Sequence, residues 1–125
     1  MFELATAHAT VAVSDLDRAK KFYQETLGLE VLDERSDGVR YKDGAGGWFL
    51  VYPSQFAGTA KSTGMSFEVT SVQEAVKELR DRGVVFEDYD MPGLKTTDGI
   101  AEIQGAKGAW FKDPDGNILA VGEAT

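Results

Sequence analysis

The sequence repeats one plan twice. VAVSDLDRA in the first half matches FEVTSVQEA in the second, which places Val13 and Val69 56 positions apart. The glycines that would end the two predicted helices, Gly28 and Gly83, are 55 positions apart. A repeat at this spacing indicates two copies of one supersecondary unit. A chain of 125 residues then forms one compact domain or two small halves that share one core.

Each copy contains one amphipathic helix. Apolar residues recur at helical spacing over residues 15–27 in the first copy and over residues 71–82 in the second, with charged residues on the other face. Residues that start or end helices flank both segments. These predicted caps and stops are Ser14 and Gly28 in the first copy, and Ser71, Glu74 and Gly83 in the second.

Short apolar runs between turn residues predict eight strands. They are segments 5–13, 29–34, 38–43 and 46–54, then 65–69, 84–90, 108–113 and 117–123. The predicted fold class is therefore α+β, built from two βαβββ modules. We place module 1 at about 1–53, a linker at 54–62 and module 2 at about 63–125. Residues 91–105 are predicted to be an insert without a counterpart in the first copy, and a candidate lid.

Composition limits what the chain can bind. Its formal net charge is −8, from 13 Lys and Arg against 21 Asp and Glu, which argues against nucleic acid because that partner requires a basic surface. No apolar run is long enough to cross a bilayer and no signal peptide is visible, so we expect a cytoplasmic protein without a membrane partner. The chain has no cysteine, which excludes thiolate chemistry.

Two phrases carry a resemblance to a known family. VSDLDRAKKFYQETLGLEV and WFKDPDGNILAV, together with the paired modules, resemble the vicinal oxygen chelate superfamily of glyoxalases, bleomycin resistance proteins and extradiol dioxygenases. The resemblance covers nearly the whole chain. It implies two modules whose curled mixed sheets surround a shared cleft, within a homodimer. In the metalloenzymes of this group, four strand positions supply His, Glu, His or Gln, and Glu to a divalent cation.

The resemblance also places the four ligand positions in this chain. They fall on His8, Phe49, Gly64 and Ala120. An open divalent metal site needs about three nitrogen or oxygen ligands from the protein, and only His8 supplies one. Glu68 is the one nearby carboxylate that could be added, but it lies farther along its strand than the ligand position. We therefore expect no metal ion and no cofactor, and we interpret His8 as either a relic of a ligand position or a polar group of the cleft.

A cleft without carboxylates suits a flat, apolar organic ligand. Strand alternation predicts that His8 and Thr10 face the cleft from the first strand, and that Phe49 and Val51 face it from the fourth. Whether Trp48, Phe49 and Trp110 contact a ligand or belong to the core stays open. The predicted ligand-binding residues are His8, Thr10, Tyr41, Trp48, Phe49, Val51, Gly64, Ser66, Trp110 and Ala120.

The sequence therefore supports one main hypothesis and two alternatives. The main hypothesis is a metal-independent homodimer that sequesters an aromatic small molecule such as an antibiotic, as the resemblance to drug-binding resistance proteins implies. The first alternative is a lyase, isomerase or dioxygenase-type enzyme that uses a metal or His8. The second is a non-catalytic binding subunit of a pathway. The hypothesis of sequestration assigns no catalytic residue.

Overall fold

The computed structural model describes residues 2–124, which form two compact units divided between Ala57 and Gly58. Each unit combines one four-stranded mixed sheet with one helical segment, which confirms the predicted α+β fold class. The module and linker boundaries given above stay predictions, and their end points at residues 1 and 125 lie outside the described residues. No helix within residues 2–124 is long and apolar enough to cross a lipid bilayer.

The first unit has the element order β-α-β-β-β. Its elements are β1 (Thr10–Val13), α1 (Leu16–Lys20), β2 (Val31–Arg35), β3 (Gly38–Lys42) and β4 (Trp48–Pro53). The strands lie in the order β1-β4-β3-β2. Strand β1 is parallel to β4, and the other neighbours are antiparallel. The last strand in the sequence therefore lies inside the sheet, between the first and the third.

The second unit repeats this arrangement. Its elements are β5 (Thr63–Val69), α2 (Val72–Asp81), β6 (Asp90–Met91), β7 (Leu94–Lys95), β8 (Ile100–Ile103), β9 (Ala106–Lys112) and β10 (Ile118–Glu123). The main sheet has the order β5-β10-β9-β8, and β6 and β7 form a separate short hairpin. Thr10 is paired with Leu50 in the first unit, and Ser66 is paired with Ala120 in the second. The equivalent residues Thr10 and Ser66 keep the 56-residue offset of the sequence repeat.

Both predicted helices are present. The first differs from the prediction at its start and at its end. The cap of α1 is Asp15 rather than the predicted Ser14, because the Asp15 carboxylate accepts the Arg18 backbone N–H at 3.1 Å. Beyond α1, residues Lys21–Thr26 form a π-helical turn. The predicted cap of α2 is confirmed, since Ser71 Oγ accepts the Glu74 backbone N–H at 3.2 Å.

The prediction for residues 84–105 is wrong in two respects. Residues 84–89 are not a strand: Phe86 forms an isolated bridge with Phe111, and β6 begins only at Asp90. The supposed insert instead supplies β8, the edge strand that pairs with β9. Gln104 and Gly105 connect these two strands with positive φ angles of 52° and 83°, which is the backbone of a tight two-residue hairpin. Residues 100–103 are therefore the counterpart of β2.

Each sheet has one face that packs against its helical segment and one that does not. In the first unit the helix-facing residues include Tyr41 and Phe49, whose rings contact Tyr23 of the π-helical turn. The buried row of the second sheet is Ala109, Phe111, Leu119 and Val121. We call the opposite side the helix-distal face. It carries Thr10, Arg40, Trp48, Leu50 and Tyr52 in the first sheet, and Ser66, Gly108, Trp110, Ala120 and Gly122 in the second.

Candidate functional site

Four side chains form a row across the helix-distal face of the first sheet. Asp33, Arg40 and Trp48 lie on three adjacent strands, β2, β3 and β4. His8 completes the row just before β1, where the Ala9 carbonyl already accepts the Leu50 backbone N–H. The row brings together two residues predicted for the site, His8 and Trp48, with two that the sequence analysis did not name.

The imidazole of His8 is fixed in both position and tautomer. Its ring is stacked on the Trp48 indole, with ring centroids 3.5 Å apart and ring planes inclined by 14°. Nδ1 lies 2.7 Å from the Trp48 backbone carbonyl oxygen. Because a carbonyl oxygen only accepts hydrogen bonds, Nδ1 carries the proton. The neutral ring therefore has its lone pair on Nε2, the nitrogen that can accept a proton or a hydrogen bond.

Arg40 contacts the other face of the same indole. Its guanidinium carbon lies 4.8 Å from the centre of a Trp48 ring, within the range of a cation–π contact. His8 lies just before β1 and Arg40 lies on β3, the two strands that flank β4, so the imidazole and the guanidinium approach the Trp48 indole from opposite sides of its strand. The Trp48 faces are thus both covered by protein, and a ligand can reach this indole only at its edge unless His8 or Arg40 moves.

Arg40 is itself held by a carboxylate. Its Nε donates to Asp33 Oδ1 at 2.6 Å, and its Nη2 donates to the second oxygen of the same carboxylate. The hydrogen bond and the charge of Arg40 lower the pKa of Asp33, and Asp33 raises the pKa of Arg40 in return. Both groups are charged at neutral pH. The bidentate geometry restricts the guanidinium plane, as arginine–carboxylate pairs generally do.

The helix-distal face of the second sheet is lined by small side chains around one indole. Ser66 and Ala120 lie directly opposite each other on β5 and β10, and Ala120 lies opposite Trp110 on β9. The Trp110 ring is 3.6 Å from where a side chain at Gly108 would begin, so it extends along its own strand. Gly64 precedes Ser66 by two residues on β5, at the point where the register between β5 and β10 shifts. The structure thus brings together Ser66, Trp110 and Ala120, with Gly64 at the bulge beside them.

Tyr89 adds a second aromatic ring at Trp110. The two ring centroids are 5.7 Å apart and the planes are inclined by 81°, an edge-to-face contact. Burial raises the pKa of the Tyr89 phenol, with a further contribution from the Glu87 carboxylate. Tyr89 is not among the ligand-binding residues predicted from the sequence. Its contact with Trp110 depends on a segment whose structure the sequence did not predict.

Three predicted ligand-binding residues lie on the helix-facing side of the first sheet. Tyr41 and Val51 are fully buried and Phe49 is 3% exposed. The centroids of the Tyr41 and Phe49 rings are 5.6 Å apart, and both rings contact Tyr23. The prediction that Phe49 and Val51 face a cleft is therefore wrong, because the alternation along β4 is shifted by one residue. The helix-distal residues of this strand are Trp48, Leu50 and Tyr52.

The residues present do not fit a divalent metal ion. Within residues 2–124, no three histidine, aspartate or glutamate side chains are grouped so that they could hold one. The residues at or next to the other three ligand positions are Trp48, Leu50, Gly64 and Ala120, and none has a side-chain oxygen or nitrogen suited to a metal. The nearest carboxylate in the His8 row belongs to Asp33, which is engaged with Arg40.

Comparison with known proteins gives one family match. A family model described as the glyoxalase, bleomycin resistance protein and dioxygenase superfamily matches residues 5–121. No curated protein is significantly similar to the chain in sequence.

Solved structures similar to this chain cover nearly its whole length. A member of the same superfamily from Sphaerobacter thermophilus is 29% identical, with a TM-score of 0.67, over 97% of this chain and 98% of its own. The fosfomycin resistance protein FosX from Listeria monocytogenes is 19% identical, with a TM-score of 0.71, over 99% and 96%. Lactoylglutathione lyase from Agrobacterium tumefaciens is 20% identical, with a TM-score of 0.72, over 98% and 96%. The last two likenesses show the shared fold alone.

Proposed function

Because the chain belongs to the glyoxalase, bleomycin resistance protein and dioxygenase superfamily, we propose that it binds an apolar, planar organic molecule without a metal ion. We further propose that its role is to sequester such a compound, for example an antibiotic. The similar structures include both a resistance protein and a lyase. The choice between these roles must therefore come from the residues of this chain.

The observation that carries the proposal is the helix-distal face of the second sheet. Trp110 is the one large ring among Ser66, Gly108 and Ala120 on that face, and it is only partly buried. Gly64 and Ser66 are small and exposed whereas Ala120 is buried, so the open part of this face lies towards β5, and the indole offers a flat apolar surface for stacking. Sites for drug-like molecules combine these properties with a few polar groups. Ser66 supplies a hydroxyl on this face.

The absence of a suitable donor set supports binding over metal-assisted catalysis. A metal-dependent lyase or dioxygenase needs several protein ligands with fixed geometry. Residues 2–124 contain no group of three histidine, aspartate or glutamate side chains that could supply them. The formal charge of −8 also disfavours anionic ligands at long range. A neutral or cationic aromatic compound is consistent with both features.

One observation favours a second candidate function. His8 has a lone pair on Nε2 and a fixed ring, which are properties of a general base. A metal-free isomerase or lyase could use this nitrogen to remove a proton from a bound substrate. Proton removal next to a carbonyl also requires a group that stabilises the resulting oxyanion. Arg40, the cation nearest to His8 in the row, is already engaged with Asp33.

Substitution of Trp110 tests the proposal directly. Once a binding compound is found in a thermal-shift panel of planar aromatic drugs, Trp110→Ala should weaken its affinity about thirtyfold, or roughly 2 kcal/mol, as truncation of a central aromatic contact does. Phe56→Ala is the matched control, because Phe56 is 66% exposed and its truncation removes an aromatic ring elsewhere. Unchanged affinity of the Trp110 variant would contradict the proposed platform.

The same assay separates binding from metal-dependent catalysis. We expect stabilisation by planar aromatic compounds with and without a chelator, and no stabilisation by Mg²⁺, Mn²⁺, Ni²⁺ or Zn²⁺, because a ligand stabilises only the state that binds it. Selective stabilisation by one of these cations would favour the enzyme. Loss of turnover in His8→Ala, with turnover retained in Trp110→Ala, would assign His8 as a catalytic base instead.

A further inference from the structure

We propose that the helix-distal face of the second sheet selects planar organic cations, with the Trp110 indole as the stacking surface and the Glu68 carboxylate as the partner of the ligand's positive charge. This inference rests on the proposed function and deepens it, because it assigns the ligand a charge that an apolar platform alone would not require. All the residues that carry it belong to the second unit.

The register of the second sheet places Trp110 and Glu68 on one face. Glu68 on β5 is paired with Gly122 on β10, and Gly122 is paired with Gly108 on β9. Trp110 follows Gly108 by two residues on the same strand, so its side chain is on the same face. The Glu68 side chain is exposed. A ligand above these three strands can therefore contact the indole and the carboxylate together.

Two glycines form the floor between the indole and the carboxylate. The outer edge of the Trp110 ring is 3.6 Å from where a side chain at Gly108 would begin. A side chain at Gly122 would begin 3.7 Å from Ser66 Oγ, an ordinary contact, and neither glycine has a positive φ. The backbone therefore does not require glycine at either position. Their missing side chains leave an open surface about 10 Å wide between the backbones of β9 and β5, because neighbouring strands are about 4.8 Å apart.

Glu68 is the uncompensated charge on this face. Within the described residues, the charged side chains that the strands of the sheet place there are those of Glu68 and Lys112. Lys112 Nζ lies 3.2 Å from the Glu87 carboxylate, which compensates it. Glu68 makes no hydrogen bond or ion pair within residues 2–124. A cationic ligand would supply its counter-charge, and the formal net charge of −8 attracts cations at long range.

The carboxylate also borders space for a charged substituent. An open depression of about 420 Å³ lies at the carboxyl ends of β5 and β10, and its lining includes Glu68, Thr70 and Glu123. The Glu123 carboxylate is already engaged, because it accepts the backbone N–H groups of Val72 and Lys107 at 3.0 and 3.2 Å. Glu68 is therefore the carboxylate of this depression that can pair with a cation.

The indole favours the same ligand charge. A cationic ring on the face of a tryptophan gains an electrostatic attraction that a neutral ring does not. Tyr89 holds the Trp110 indole from the side by an edge-to-face contact, with ring centroids 5.7 Å apart. The indole and the carboxylate thus act together on one positively charged ligand.

Two probes of similar shape and different charge test the inference. 1-Methylquinolinium is a permanent cation, whereas 2-methylquinoline has the same fused rings and one methyl group but is neutral at pH 8. In titrations followed at the Trp110 indole N–H signal, we expect the cation to bind about tenfold more tightly, from the ion pair and the cation–π contact together. Raising NaCl to about 0.5 M should reduce this preference, because salt screens an exposed ion pair.

Three variants locate the source of the preference. Glu68→Gln keeps the shape of the side chain and removes its charge, so the preference should fall to about twofold, the part that the indole supplies. Glu102→Gln is the matched control: Glu102 is exposed and lies opposite Lys107 on the other face of the same sheet. It removes the same formal charge and should keep the native preference. Gly122→Val, compatible with a strand, should weaken both probes because it fills the floor.

The outcomes separate this inference from the proposed function. Equal affinity for the two probes, or a native preference retained in Glu68→Gln, would overturn the role of Glu68 and leave the aromatic platform intact if Trp110→Ala still weakens 2-methylquinoline. An equal loss of preference in Glu68→Gln and Glu102→Gln would assign the preference to net charge and also overturn the inference. Failure of both probes to bind would contradict the inference and the proposed function together. A preference lost in Glu68→Gln alone of these two variants would support both.

Discussion

Trp48 and Phe49 are adjacent in β4, yet their side chains serve opposite faces of the first sheet. The Trp48 indole lies between His8 and Arg40 on the helix-distal face. Phe49 is buried with Tyr23 and Tyr41 beneath the helical segment. Substitutions at these neighbours should therefore affect different properties. Changes at Trp48 should act through His8, and changes at Phe49 should act on the stability of the unit.

Phe49→Ala should destabilise the protein without a specific effect on ligand affinity. Truncation of a fully packed phenylalanine typically reduces the free energy of unfolding by about 3–5 kcal/mol, because both the transfer of the ring and the cavity are unfavourable. Urea unfolding measures this loss. Leu50→Ala is the matched control, since Leu50 is half-buried on the opposite face. A loss no greater than that of the control would show that Phe49 is not part of the core.

Tyr41 places a polar hydroxyl in the core where it makes no hydrogen bond within the described residues. Its ring is fully buried. Tyr41→Phe removes this unpaired group and keeps the ring, so the free energy of unfolding at pH 7 should rise by about 1 kcal/mol. Tyr52→Phe, a substitution on the helix-distal face, is the control. Destabilisation by Tyr41→Phe would mean that the hydroxyl has a partner.

The same substitution should change the response to alkaline pH. Burial, with a contribution from the Glu34 carboxylate, raises the pKa of the Tyr41 phenol to about 12, against about 10 in an unfolded chain. Between these values the unfolded state releases the proton while the folded state retains it, so stability falls as the pH rises. Unfolding measured from pH 9 to pH 11 should show a smaller decline in Tyr41→Phe. Parallel curves for the two proteins would contradict this assignment.

At the scale of the elements, residues 88–99 form an ordered segment around one carboxylate. Asp88 Oδ1 accepts hydrogen bonds from Thr96 Oγ1 and from the Gly99 backbone N–H, each at 2.8 Å. Thr96 Oγ1 in turn accepts the Tyr89 backbone N–H at 2.8 Å. This network sets the position of Tyr89 beside Trp110. Thr96 and Gly99 of the predicted lid, residues 91–105, are thus held by hydrogen bonds to Asp88 and Tyr89, and the β6–β7 hairpin projects from this network.

Asp88→Ala should loosen this segment while the sheets stay folded. The hydrogen bonds from Thr96 and Gly99 lower the pKa of Asp88, so its contribution is present above the unfolded pKa of about 4 and is lost as the pH falls through the lower folded value. Amide hydrogen exchange at neutral pH should show reduced protection at Tyr89 and Gly99. Asp90→Ala is the control, and equal exchange in the two variants would contradict the role of Asp88.

The sequence predicted the elements whose local signals agree with their tertiary environment. Both helical segments follow apolar periodicity, and each is followed by a glycine with positive φ: Gly28 lies two residues after Thr26, and Gly83 lies two residues after Asp81. Strand β8 was missed because IAEI follows a polar turn and is too short to show alternation. The high β propensity of VVF predicts a strand over 84–90. In the structure β8 pairs with β9 instead, and the contacts of this segment with β9 are the Phe86–Phe111 bridge and the hydrogen bond from the Glu87 N–H to the Trp110 carbonyl.

The candidate site was predicted only in part, for a physical reason. The phrase WFLVYP is apolar on both faces, so alternation in β4 could not show which of Trp48 and Phe49 faces the helix. The duplication is visible in the pairing, because Thr10 opposite Leu50 and Ser66 opposite Ala120 keep the 56-residue offset of the sequence repeat. Arg40 and Asp33 were not named, since their pairing depends on the register of the β2–β3 hairpin.

At the scale of the whole molecule, we predict a homodimer. Strands β1 and β2 are edges of the first sheet, and β5 and β8 are edges of the second. Phe2 and Leu4, which precede β1, are 78% and 68% exposed. Unpaired edges and exposed apolar side chains favour association with a second copy. Light scattering at micromolar concentration should give twice the 13.6 kDa chain mass, and a monomer mass would contradict the prediction.

The order of strands has a consequence for folding during synthesis. In each unit the strand translated last fills an interior position, between the first strand and the third. Strand β5 has no neighbour in its sheet until residues 118–123 have left the ribosome, more than 50 residues later. Closing so long a loop slows folding and leaves apolar edges exposed to chaperones. A nascent chain arrested just before Ile118 should therefore remain sensitive to proteases over its second half.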